Sequence, residues 1–264
     1  MEDTLQPLID RAMAGKPSFL EFYLRDQSRL PGTRANLDLA QDLSNHLALL
    51  APDFPSEMRA LLTHLIRDEK RVVSNTPGEF VLMCGVLSVG ACAASVPMWR
   101  EESFSQLSRY AQSPAWRVRE GAAMALQKLL IAAPDEMLLK LMDLLEAGDC
   151  LQMRACLAAV SETALLTSAQ VVASALIMQR VALEYLHMLP ATERKHTDAR
   201  VLRQALGYTL SVVTAASPDD GFALMCEIAT WNDLDINWVL RENLKKRRLA
   251  RFRDYTEKVI DLMA

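Results

Sequence analysis

The chain has 264 residues, of which 51% are hydrophobic, 23% charged and 6% aromatic. Nine glycines and eleven prolines are too few for a collagen-like, linker-rich or disordered chain, and a formal net charge of −4 is not the overall charge of a nucleic-acid-binding protein. Low β-branched and aromatic content beside abundant Leu, Ala, Met, Arg and Glu favours helix along nearly the whole chain.

The first residues and the cysteines indicate a cytoplasmic protein. Met1–Leu5 includes two acidic residues and no basic one, so no secretory signal is expected. The cysteine count is odd and no Cys-x-x-Cys pair occurs, which predicts small, reduced core residues. The five cysteines are Cys84, Cys92, Cys150, Cys156 and Cys226.

An uncharged stretch, Phe80–Trp99, is long enough to span a bilayer. Only seven of its 20 residues are Phe, Val, Leu or Ile, which makes it a poor candidate for membrane insertion. We therefore expect a helix that is buried on all sides within a helical protein, without membrane contact. Gly85 and Gly90 are then close-packing positions and not parts of a phosphate-binding loop.

A repeated helical pattern is the most informative feature of the sequence. The residues at 118, 122, 125, 126, 129 and 130 are apolar, which is the spacing of one buried helix face. The spacing recurs after Met153 and in a set formed by Val201, Ala205, Tyr208, Val212 and Val213. A fourth stretch, Trp238–Leu244, echoes Trp116–Ala122. These helix starts recur about every forty residues, near Arg34, Glu79, Arg119, Arg154, Arg200 and Arg241.

Partner helices fit between these starts, and Pro, Gly and Ser lie where the turns belong. The predicted partner helices are residues 17–29, 55–71, 98–112, 134–147, 168–188 and 218–231. A single helical hairpin cannot cover its own apolar face, so neighbouring hairpins stack and share one core. The sequence therefore predicts an all-α fold, a right-handed α–α superhelix (α-solenoid) of about six HEAT-like hairpins, in one domain over residues 1–264.

On these residues the chain resembles the HEAT-repeat (armadillo-type) superfamily. Ser113–Glu120 resembles the Trp-x-x-Arg helix start of bacterial HEAT-like DNA alkylation-repair glycosylases, and Asp233–Leu249 resembles a motif of their uncharacterised bacterial relatives. Those glycosylases carry Trp and, four residues later, Asp, one repeat before the matching Arg. Phe80 and Cys84 stand there in this chain. The carboxylate that could stabilise a cationic sugar in the transition state is therefore missing.

Repeated arginines and tryptophans are the candidate binding residues of the predicted concave face. Each arginine either bonds an acidic side chain or helix-end carbonyl of a neighbouring unit, or faces the groove and binds phosphates or carboxylates. Each tryptophan either packs at a seam between repeats or lines the groove beside an arginine. The candidates are Trp116, Arg119, Arg154, Arg200, Arg203, Trp238, Arg241, Lys245, Lys246, Arg247 and Arg248.

Positive charge is concentrated in residues 241–253, where seven of 13 residues are basic and one is acidic. One explanation is the preference of cations for helix C-termini, together with a solvated face. The other is an electrostatic contact with nucleic acid or with an acidic protein surface, which weakens as salt increases.

Catalytic and metal-binding signatures are absent from the sequence. The four histidines have no ligand spacing, and no nucleophile elbow or phosphate loop occurs, so neither a metal nor another cofactor is expected. We therefore expect a non-catalytic protein that binds another protein through its concave face. The alternative is a DNA-binding relative of the alkylation-repair glycosylases, with or without base excision.

Overall fold

A computed structural model describes residues 2–67 and 71–263 of the chain. The described residues form 14 α-helices and no strand, so the predicted all-α class is confirmed. They divide into two compact units, Met1–Ala133 and Pro134–Ala264, which are described separately below. The single domain over residues 1–264 stays a prediction.

The described residues of the first unit form seven α-helices, and a short 3₁₀ helix lies at Pro97–Trp99. Its α-helices are α1 (Glu2–Met13), α2 (Ser18–Asp26), α3 (Leu37–Leu50), α4 (Pro55–Ile66), α5 (Pro77–Ser95), α6 (Arg100–Tyr110) and α7 (Trp116–Ala132). Within this unit α5 packs between α3 and α7.

The second unit also contains seven α-helices. They are α8 (Pro134–Ala147), α9 (Cys150–Val160), α10 (Ala169–Met188), α11 (Thr197–Ala216), α12 (Pro218–Ala229), α13 (Leu234–Leu244) and α14 (Arg253–Leu262). Three short 3₁₀ helices lie at Leu165–Thr167, Glu193–Lys195 and Arg247–Leu249. Within this unit α11 packs against α9, α10, α12 and α13.

The predicted helix positions agree with the observed ones over most of the chain. The six predicted partner helices overlap α2, α4, α6, α8, α10 and α12, and α3, α5, α7, α9, α11 and α13 follow them. The six apolar positions predicted to form one face of α7 are all buried. Helices α1 and α14 were not predicted.

Helix α5 is the buried centre of the first unit. Every residue from Glu79 to Ala93 is buried, which agrees with the expectation for most of the uncharged stretch. The helix ends at Ser95, however, and Met98 is exposed, so the end of the stretch lies outside the buried helix. It is the one described helix that is long and apolar enough to cross a membrane, and most of its apolar window is buried within the structure. Two of its buried residues are cysteines, and burial raises the pKa of Cys92 to about 12.

Buried Asn243 joins α13 to α11 in the second unit. Its side-chain amide donates to the carbonyl oxygens of Leu206 and Val239, both at 2.8 Å, and its Oδ1 accepts from the Ser211 amide at 2.7 Å. Because its polar side-chain atoms are bonded, this asparagine is compatible with complete burial. The bonds fix the position of α13, from which the basic segment continues.

Glu21 on α2 is surrounded by three basic side chains of the first unit. Its carboxylate is hydrogen-bonded to Arg67 at 2.7 Å, to His64 at 2.9 Å and to Arg25 at 3.0 Å. Partial burial acts to raise the pKa of Glu21, but the hydrogen bonds outweigh it and lower the pKa from 4.5 to about 2.

This depressed pKa predicts acid-dependent stability. The Glu21 carboxylate stabilises the fold above its unfolded-state pKa, and this stability is lost as the pH falls from about 4.5 towards 2. We expect wild type to be more stable than Glu21→Gln at neutral pH by up to about 3 kcal/mol, since one pKa unit corresponds to about 1.4 kcal/mol. Urea unfolding at stepped pH should show the two proteins converging near pH 2.

Glu102→Gln is the control, because Glu102 forms an exposed pair with Arg59. An exposed pair contributes little, so this variant should follow wild type at every pH. A constant difference between wild type and Glu21→Gln across the acid range would contradict the role assigned to Glu21.

Candidate binding surface

A buried ion pair holds the beginning of α7 against α5 in the first unit. Arg117 Nη1 donates to Glu79 Oε2 at 3.0 Å, and its Nη2 donates to the Gly32 carbonyl at 2.7 Å. The guanidinium also lies 4.5 Å from the ring centroid of Trp116, whose side chain is 49% exposed. The predicted binding residue Trp116 therefore covers Arg117, a residue that the sequence reasoning did not select.

Arg119 bonds the turn that precedes its own helix. Its Nη1 donates to the carbonyl oxygens of Ser113 at 2.6 Å and Pro114 at 3.2 Å. The side chain therefore satisfies carbonyls between α6 and α7, within its own helix pair, whereas the sequence analysis expected a bond to a neighbouring unit or a place in the groove.

Two aspartates hold two arginines in the second unit. Arg194 donates to Asp233 at 2.6 Å and to Asp235 at 3.4 Å, while Arg203 donates to Asp235. Burial acts to raise the pKa of Asp233, but hydrogen bonds, the largest of them from Arg194, lower it. The Arg203 guanidinium also lies 4.6 Å from the ring centroid of Trp238. Arg203 and Trp238 are therefore in contact, and Arg203 is paired with the carboxylate of Asp235.

The remaining predicted arginines differ in exposure. Arg200, Arg241 and Arg247 are exposed, and no side-chain hydrogen bond or ion pair joins them to another described residue. Arg154 is half-buried on α9, and it interacts with another residue.

Residues 245–252, called the basic turn below, connect α13 to α14. Lys245 lies at the C-terminal cap of α13, where a cation is favourable, and pairs with Glu242 at 2.6 Å. Leu249 is fully buried, and the Phe252 ring meets the Phe222 ring edge-on with centroids 5.7 Å apart. These apolar contacts hold the turn while its basic side chains remain at the surface.

Tyr208 on α11 contacts two basic side chains of the basic turn. Arg248 Nη2 donates to the Tyr208 hydroxyl at 2.9 Å, and the guanidinium lies 4.6 Å from the ring centroid. Lys246 Nζ lies 5.7 Å from the same centroid. Tyr208, Lys246, Arg248 and neighbouring Arg251 are called the Tyr208 surface below. Cations over an aromatic face are attracted by its quadrupole, so the ring helps to position them.

Tyr208 corrects one detail of the sequence analysis. The repeat pattern placed it on an apolar face with Val201, Ala205, Val212 and Val213. Val212 and Val213 are buried, whereas Val201 and Ala205 are only half-buried. Tyr208 is 49% exposed, because its ring lies against Arg248 and not inside the core. An aromatic residue with a polar hydroxyl fits such a half-exposed position.

A surface pocket of about 500 Å³ adjoins the Tyr208 surface. Its lining includes four apolar residues, Leu166, Val212, Ala215 and Ala216, and a polar group made up of Arg248, Arg251 and two threonine residues. Arg251 Nη2 is 3.5 Å from the Ala215 carbonyl oxygen. The pocket thus combines an apolar wall with two guanidinium groups.

No protein-family model, curated protein or solved structure matches this chain. Its function therefore has to be inferred from its own residues. Among the described residues, no group of three or more His, Cys, Asp or Glu side chains could hold a metal ion. Phe80 and Cys84, at the positions where the glycosylases carry Trp and Asp, are fully buried in α5, and burial raises the pKa of the Cys84 thiol.

The structure brings some of the predicted residues together and leaves others apart. Lys246 and Arg248 of the basic turn meet at Tyr208 of α11, and Arg203 of α11 meets Trp238 of α13. Guanidinium groups bind carboxylates through paired hydrogen bonds, so the Tyr208 surface is suited to binding acidic groups.

Proposed function

We propose that this chain acts by binding another protein through the Tyr208 surface and the exposed cations beside it. One observation carries the proposal. Of the seven basic side chains in residues 241–253, Lys245 is the one with a carboxylate within 4 Å among the described residues. The other six form a concentration of positive charge without ion-pair partners among the described residues, in a chain whose net charge is −4, and carboxylates of a partner supply the complementary charge.

The helix pairs from α2–α3 to α12–α13 are, in this proposal, HEAT-like repeats. The packing of helices inside each unit supports this part of the proposal. The second helices of successive pairs pack in order, α3 against α5 and α5 against α7 in the first unit, and α9 against α11 and α11 against α13 in the second. Stacking of corresponding helices is how repeat proteins share a core.

The surroundings of the Tyr208 surface favour a protein partner over a nucleic-acid backbone. The apolar wall that includes Leu166 and Val212 offers nothing to a phosphate but accepts a side chain.

Binding can be measured with fluorescein-labelled acidic peptides and a labelled DNA duplex, by fluorescence anisotropy at two salt concentrations. We expect the peptides to bind more tightly than the duplex, and we expect their affinity to fall as the salt concentration rises. The Arg247→Glu/Arg248→Glu variant should bind them about tenfold more weakly or worse, a loss of about 1.4 kcal/mol. Removing cations from a complementary surface both lowers attraction and introduces repulsion.

Lys195→Glu/Lys258→Glu is the matched control. It makes the same change in net charge at two exposed lysines of the second unit that lie outside the Tyr208 surface. The control should bind the peptides within about twofold of wild type, since distant charges are screened. Undetectable peptide binding at low salt, or tighter binding of the duplex than of the peptides, would overturn the proposal.

A further inference from the structure

The pocket beside the Tyr208 surface is lined by two chemically different sets of residues. Its volume of about 500 Å³ lies within the range of small-ligand sites. The apolar set includes Leu166 and Val212, which are 7% and 5% exposed, together with the small side chains of Ala215 and Ala216. A side chain placed there removes apolar surface from water on both molecules.

Two guanidinium groups lie at the polar side of this pocket. Among the described residues, no carboxylate is within 4 Å of Arg248 or Arg251. Arg248 is held by its bond to Tyr208, and the following residue, Leu249, is fully buried. Because the turn is anchored, little conformational entropy is lost when these groups bind an anion.

We infer that the pocket accepts one apolar side chain of a partner protein, from a segment in which acidic residues flank that side chain. This inference rests on the proposed function and adds the chemistry of the partner. The apolar side chain contacts Leu166 and Val212, while the flanking carboxylates bind Arg248 and Arg251. Positive charge alone favours any acidic segment, whereas the pocket selects segments that also carry an apolar residue.

The selectivity can be tested with two labelled peptides of identical charge, each with four glutamates around a central residue. The central residue is leucine in one peptide and serine in the other. Wild type should bind the leucine peptide roughly tenfold more tightly, as burying part of a leucine side chain predicts. The Arg248→Glu/Arg251→Glu variant should bind both peptides more weakly than wild type does.

Filling the pocket separates its contribution from that of the charge. Ala216 is the last residue of α11 and is exposed, so the Ala216→Trp variant should fold. This variant should lose the preference for the leucine peptide but bind the serine peptide as wild type does. Ala215→Leu, which narrows the pocket from the neighbouring position, should reduce the preference too. Ala147→Trp is the control, because Ala147 is also exposed at the last residue of its helix, α8.

The outcomes distinguish the two proposals. Equal binding of both peptides by wild type overturns the pocket inference and leaves the proposed function standing. A leucine preference that survives in both folded pocket variants, with folding checked by circular dichroism, also overturns it. Failure of wild type to bind either peptide at low salt overturns the proposed function and the pocket inference together.

Discussion

Replacing Glu79 with alanine is expected to lower the free energy of unfolding by about 3–5 kcal/mol, because it leaves a buried arginine without its counter-charge. Glu79 is fully buried, and its carboxylate accepts from Arg117 Nη1 at 3.0 Å, from the Arg117 amide at 3.3 Å and from the Asn75 amide at 2.7 Å. One side chain therefore satisfies two donors of Arg117 at the beginning of α7 and one backbone donor just before α5.

The remaining partners of Arg117 do not compensate for this loss. Its Nη2 keeps the Gly32 carbonyl, while Nε is buried and has no hydrogen-bond partner among the described residues. Uncompensated charge in the interior is costly, whereas replacement of both partners by apolar residues is often close to neutral. Glu79→Leu/Arg117→Leu should therefore be more stable than Glu79→Ala.

Urea unfolding followed by circular dichroism measures these differences. Glu102→Ala serves as the control in the same unit, because the Glu102–Arg59 pair is exposed and should contribute less than about 1 kcal/mol. If Glu79→Ala lost no more stability than Glu102→Ala, the buried pair would not have the structural role described for it.

Periodicity predicted the helices of this chain because burial imposes it. Residues three and four apart lie on one helix face, so the pattern beginning at Val118 identified the buried face of α7. Helix α14 was not predicted, because it lies outside the forty-residue period and buries only Val259. The arrangement of the helix pairs as one six-repeat superhelix stays a prediction.

The candidate surface was only partly predictable, because its key contacts join residues far apart in the sequence. The basic segment was visible as a charge run, but the repeat pattern placed Tyr208 on a buried apolar face and so did not predict its contact with Arg248, forty residues later. The repeat pattern also emphasised Arg119, whereas Arg117 forms the buried pair with Glu79. The spacing of 38 residues between Glu79 and Arg117 is close to one repeat and is the signal that could have identified them.

Adding a single methyl group at Gly90 is expected to destabilise the first unit, because α5 and α7 are in backbone contact there. A Cβ atom on Gly90 would lie 2.6 Å from both the Cβ and the carbonyl oxygen of Ala125, and 2.8 Å from its Cα. Backbone atoms of a packed helix cannot move aside as a flexible side chain can, so the two helices would have to separate.

The sign of the effect distinguishes packing from helix propensity. In an exposed helix, Gly→Ala stabilises by about 1 kcal/mol. Gly90→Ala should instead lose about 1–3 kcal/mol of unfolding free energy through overpacking, and Gly90→Leu should lose more. Thermal and urea unfolding of these variants measure the loss.

Gly78, in the first turn of the same helix, supplies the matched control. A Cβ there would have as its nearest neighbour an Arg25 guanidinium nitrogen at 3.4 Å, which is an ordinary contact with the end of a flexible side chain. Gly78→Ala should therefore be neutral or stabilising by a few tenths of a kcal/mol. If Gly90→Ala were as stable as Gly78→Ala, α5 and α7 could not approach as closely as described, and the close-packing role of Gly90 would be wrong.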